Sequence, residues 1–168
     1  MKITNETSAA QEMFAKTVLR AWTMNVTRVN DLLESLPDDV LKQDVAPGRN
    51  SGVYLLGHLT ATHDGMIPLL GFGSKLYPQL EKPFYSPDKS GNEFPSIAEL
   101  KKYWKEVNDR LAEHFSQLEP EEWLTRHTSV SAEDFEKEPH RNKLSVLISR
   151  TTHMSSHLGQ LIFLKPRK

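Results

Sequence analysis

Cysteine is absent from the 168-residue sequence, which excludes disulfides, thiolate metal sites and a cysteine nucleophile. An excess of charge is absent too. With 22 acidic residues against 21 Lys and Arg, the net charge is -1. Wholesale electrostatic binding to nucleic acid or to an acidic membrane surface is therefore not expected. No stretch approaches the roughly 18 uncharged apolar residues that a membrane span requires. The opening Met1-Lys2-Ile3-Thr4-Asn5-Glu6-Thr7 is polar and lacks the apolar region of a signal peptide, so a cytoplasmic protein is expected. Three catalytic signatures are also missing: a glycine-rich phosphate loop, a Gly-x-Ser-x-Gly elbow and a His-Glu-x-x-His protease motif, since residue 154 is Met.

Helical periodicity is what the sequence does contain. The length fits one domain, taken as residues 1–168. A first helix is predicted from about Thr7 to Leu36, with Phe14, Val18, Ala21, Val29, Leu32 and Leu36 in one stripe and Pro37 as its stop. Asn25 falls within that stripe and is expected as a buried amide with a local partner rather than as a site residue. A second helix is predicted from about Ser51 to Leu70, capped by Ser51 or Asn50, with Gly71 just beyond and Pro68 distorting its last turn or ending the helix early. The stretch 71–95 has no period and is long for a compact domain, so it reads as a crossover or a functional lid. Ser96-Ile97-Ala98-Glu99 is a capping box that opens a third, amphipathic helix. A fourth runs from about Asn142 to Leu164. It has few charges and a thin stripe of Ser145, Ser149, Thr152, Ser156 and Gly159, and is expected inside the bundle. The expected fold is all-α: a four-helix bundle with a long crossover between helices 2 and 3.

Chemistry concentrates in the fourth helix. His153 and His157 are four residues apart, ~40° around the helix, so both rings face the same way one turn apart. That spacing suits two ligands of one metal ion, and it equally suits two hydrogen-bonded interior histidines. Gln160 shares their side of the helix and could bond a ligand or a bound water. His58, on the apolar stripe of the second helix, is the best candidate for a third ligand. His63 is rotated ~140° from His58 and Asp64 points elsewhere again, so either would serve only if the helix bends.

An all-α chain of this length resembles the DinB/YfiT-like superfamily when it carries Gly57-His58-Leu59 in the second helix and His153-x3-His157-Leu158-Gly159-Gln160 in the last. The resemblance covers nearly the whole chain, and the terminal run is its most specific part. It implies a bundle with a crossover between helices 2 and 3, frequently a homodimer. It also implies that His58, His153 and His157 hold a divalent metal, zinc or nickel, as ligands. The activities it implies are transfer or isomerisation with a low-molecular-weight thiol, or a hydrolase-like reaction, on a small molecule.

Three neutral imidazoles would leave such an ion its full charge and an unfilled position, the pattern of catalytic rather than closed structural sites. The first expectation is thus a metal-dependent transferase or hydrolase that activates a thiol or water. Gln160, His63 and Asp64 are candidates for supporting the ligands or binding substrate. A non-catalytic metal-binding or stress-responsive interaction protein is the alternative, and a plain bundle with structural histidines is the third reading.

Overall fold

The computed structural model describes residues 2–87 and 91–166. Its four long helices are α1 (Lys2–Ser35), α2 (Gly52–Asp64), α3 (Ile97–Gln117) and α4 (Lys143–Leu161). Among the described residues there is no strand, only two isolated bridges, Asp44 to Ser51 and Arg126 to Asn142.

The helix starts follow local chemistry. Ser51 accepts from the Tyr54 amide at 3.2 Å, and Asn142 accepts from the Ser145 amide at 2.9 Å. At Ser96 the box is reciprocal: the Glu99 amide donates to the serine hydroxyl, and the Ser96 amide donates to the Glu99 carboxylate. Each interaction satisfies an amide that the helix itself leaves unpaired.

The second helix stops earlier than its periodicity predicts. α2 ends at Asp64, and a separate turn, Met66–Leu69, follows Gly65. Pro68 explains the break. It has no N–H to offer the Asp64 carbonyl four residues back, and its ring crowds that carbonyl.

Cross-helix pairs fix the topology. Trp22 packs on Phe115 with ring centroids 5.1 Å apart, Asn30 accepts from Trp104 at 2.7 Å, and Asp38 pairs with Lys101 at 3.0 Å, so α1 and α3 are antiparallel. Tyr54 lies 6.2 Å from Phe94, His63 bonds Asn108 at 2.8 Å, and Phe72 stacks on His114 at 4.6 Å. Both chains advance together through these three pairs, so α2 and α3 are parallel neighbours. That requires the segment between them to return along the length of the bundle, as its length suggested. The α2–α4 pair is antiparallel: Gly52 faces Leu164, while His58 faces His153 and His157.

Much of the crossover is packed rather than loose. Asp64 accepts from the amides of Leu76 and Tyr77 at 2.8 and 2.9 Å, which pins its start. A 3-10 turn, Pro78–Leu80, and a helical turn, Glu81–Phe84, then place Leu80 and Phe84 in the core. Residues 88–90 of the expected crossover lie outside the described residues.

Two packing expectations are corrected. Among the described residues of α1 before Val29, the buried positions are Ala15 and Trp22, whereas Phe14 is 68% exposed and Ala21 is exposed. A 3.6-residue period admits neighbouring stripes, and the bulk of Trp22 against Phe115 selects this one. Helix α4 is not enclosed on all sides. Val146, Leu147, Met154, Leu158 and Leu161 face the core, while Ile148, Ser149, Thr152, Ser156 and Gly159 face outward. Its outer face is built of small and hydroxyl side chains instead of charges, which reads like an interior from composition alone.

Candidate metal centre

Antiparallel packing of α2 on α4 brings three imidazoles together at the edge of the core. His58 Nε2 is 3.1 Å from His153 Nε2, which is 3.0 Å from His157 Nε2. One ring nitrogen from each residue lies within 4.8 Å of the others, and all three side chains are half-buried. The rings meet edge to face, at interplanar angles of 63°, 81° and 87°.

Hydrogen bonds behind two of the rings decide where the protons sit. The Phe84 carbonyl lies 2.8 Å from His58 Nδ1. A carbonyl only accepts, so Nδ1 carries the proton and Nε2 keeps its lone pair. Gln160 Oε1 lies 3.1 Å from His157 Nδ1 and has the same consequence for that ring. Two Nε2 lone pairs therefore face His153 Nε2. A proton on His153 Nε2 satisfies one of them well, whereas a divalent ion satisfies all three nitrogens. Two nitrogens bound tetrahedrally to one zinc at 2.0–2.1 Å would stand about 3.3 Å apart, close to the observed separations. The acceptors behind His58 and His157 are those that orient metal-binding histidines. His153 Nδ1 is buried and has no protein partner among the described residues.

Electrostatics favours the neutral, ligating form. Burial pushes His153 down to about 4, and the His157, His58, Arg150 and His63 charges act in the same direction. His58 is also lowered, mainly by burial, against the opposing bond to Phe84. The donor set therefore fits a divalent metal: three imidazoles, no charged ligand, and lone pairs held toward one point.

Several contributors to this arrangement were not apparent in the sequence. The Phe84 carbonyl accepts from Tyr54 Oη at 3.2 Å as well as from His58, and Tyr54 stacks on the His58 ring at 5.9 Å. Tyr54 Oη also donates to the Ser86 carbonyl at 2.6 Å. Gly57 lets the Phe84 ring lie directly on α2. Tyr85, half exposed, reaches over to the Ala61 carbonyl at 3.1 Å and borders His58 at 6.2 Å. The only hints were Gly57 beside His58 and aromatic residues within an otherwise irregular stretch.

His63 and Asp64 are placed elsewhere. The helix breaks after them, at Gly65, so it does not turn them toward the cluster. His63 is fully buried between Trp22 and Trp104, with centroids at 6.4 and 5.0 Å. Asn108 donates its amide to the Trp104 carbonyl at 2.7 Å, so its oxygen accepts from His63 Nδ1 at 2.8 Å. Asp64 spends its carboxylate on the two crossover amides, and burial raises its pKa. Both residues hold the fold around the centre. Among the other histidines, His114 stacks on Phe72, and His127 and His140 lie together in a surface cavity.

A family model described as the DinB superfamily matches residues 21–161. The chain is also similar to the solved structure of a conserved protein from Enterococcus faecalis. The TM-score is 0.60 at 16% identity, covering 91% of this chain and 93% of that one. At that identity the likeness concerns the fold. No curated protein sequence matches.

Proposed function

The chain belongs to the DinB superfamily, and we propose that it is a metal-dependent enzyme acting on a small molecule, with His58, His153 and His157 as the ligands of one divalent ion, zinc or nickel. The observation that carries this reading is the convergence of three imidazole nitrogens, two of them oriented by carbonyl oxygens behind them. When bound, the ion would serve as a Lewis acid with an open position for a thiol or a water.

The residues of the chain have distinct parts in this scheme. His58 is held from behind by the crossover, through the Phe84 carbonyl. Gln160 fixes the His157 ring and is itself exposed, which leaves its amide nitrogen available to an incoming group. Tyr85 stands beside His58, with its hydroxyl pKa raised by burial, and forms one wall of the approach. Among the described residues no helix is long and apolar enough to cross a membrane.

The proposed partner is a second copy of the chain. The outer face of α4 supports this: Ile148 is 47% exposed and Phe163, just beyond the helix, is 74% exposed. A homodimer would bury these apolar side chains against the small residues around Gly159.

The test is a reaction screen on the metal-loaded protein, pairing low-molecular-weight thiols with electrophiles and offering simple esters and amides. Turnover that disappears in His153→Ala supports the reading. An ion with four protein ligands and no exchangeable position, together with no turnover, would replace it with a non-catalytic metal-binding protein.

A further inference from the structure

Beside the first turns of α4 lies a cavity of about 280 Å3 whose charged lining is wholly basic. His127, His140, Arg141, Ser145, Ser149 and Arg150 contribute its polar side chains, and no carboxylate lines it. Arg141 is paired with Glu138 at 3.1 Å. Arg150 is different: it is half-buried, yet it has neither an ion pair nor a hydrogen bond among the described residues. His127 Nδ1 is shut off from solvent and lacks a partner too. A guanidinium and a buried ring nitrogen left unpaired in one concavity are costly without a partner to meet them. A planar guanidinium suits a carboxylate or phosphate, which can accept two of its N–H groups at once.

Arg150 links the cavity to the candidate metal centre. Arg150 precedes His153 by three residues, one turn along the same helix, and its charge helps keep both His58 and His153 neutral. Three uncharged ligands would leave a bound ion with its positive charge, so the whole region favours negative groups.

We propose that this cavity is an oxyanion subsite, in which Arg150, with Arg141 and His127, holds a carboxylate or phosphate group of the substrate. The remainder of the substrate then runs along α4 toward His153. The proposal rests on the functional reading above for the word substrate, but the anion site itself does not depend on a metal.

The experiment is a titration of the full chain with inorganic phosphate and, separately, succinate, followed by amide and side-chain NMR shifts. It is repeated in Arg150→Gln, Arg150→Lys and His153→Ala, each checked for helical content. Saturable shifts around Arg150 are expected with at least one probe. Affinity should fall at least tenfold in Arg150→Gln and by less in Arg150→Lys, which keeps the charge but loses the fork. Should the Gln variant not fold, the Lys variant and Arg141→Gln carry the test. With metal removed from both proteins by a chelator, His153→Ala should bind the anion as the metal-free parent does. Preference for phosphate or for succinate identifies the source of the oxyanion. Absence of saturation with both probes overturns the proposal, as does unchanged affinity in the Arg150 variants or loss of binding in His153→Ala. The metal content of that same His153 variant reports on the functional reading independently.

Discussion

Gly57 and Phe84 are in such close contact that a methyl group on the glycine would overlap the aromatic ring. The consequence reaches the candidate metal centre, because the carbonyl of that same phenylalanine holds the proton of His58 on Nδ1 and leaves Nε2 its lone pair. Gly57→Ala is therefore expected to destabilise the fold by about 1–3 kcal/mol, the usual cost of overpacking. It should also weaken metal binding, although residue 57 is no ligand. Denaturant unfolding and a metal titration of the variant measure both effects. Unchanged affinity would show that the position of Phe84 does not matter to His58.

Among the described residues, Gln160 reaches the candidate centre through His157. Its removal in Gln160→Ala should leave the metal stoichiometry intact while lowering affinity about 10-fold or more, as loss of an orienting acceptor does at other metal sites. A competition titration with a chelator of known affinity reads the change. Complete loss of metal would instead mark Gln160 as a ligand.

Asp64 gives the opposite pattern. In Asp64→Ala the amides of Leu76 and Tyr77 lose their acceptor. A loss of about 1–3 kcal/mol of stability is expected, while the metal stoichiometry is retained. A variant that unfolds normally but binds no metal would place the carboxylate in the coordination shell.

Buried His63 makes stability depend on pH. Its pKa is pushed down to about 4 by burial, against the opposing bond to Asn108. Between the ordinary histidine value and about 4, the unfolded chain binds a proton that the folded chain refuses. Stability is therefore fully present above pH ~6.5 and declines as pH falls toward 4, by roughly 3 kcal/mol from this residue. His63→Gln removes that titration, so its unfolding free energy should fall less steeply over the same range. Equal slopes in the two proteins would contradict the buried, neutral state of His63.

The local parts of this molecule were legible in its sequence because they are encoded locally. The Ser96 capping box needs four residues, and the shared face of His153 and His157 needs one helical turn. The place of His58 on the apolar stripe of the second helix made it the best third candidate, the family resemblance paired it with the other two, and the α2–α4 packing accounts for the pairing. What could not be read depends on contacts between distant segments. Nothing near Phe84 announces that its carbonyl serves Tyr54 and His58, and nothing near His63 announces Asn108. The exposed face of α4 misled for a related reason: Ser149, Thr152 and Ser156 are as compatible with solvent as with close packing.

The most direct test of the account is the metal content of untagged protein, measured by elemental analysis for the parent chain, His58→Ala and His153→Ala. One divalent ion per chain is expected in the parent and almost none in either variant, with helical content preserved. Equal metal in all three proteins, or none in a parent saturated with zinc or nickel, would contradict the three-histidine centre.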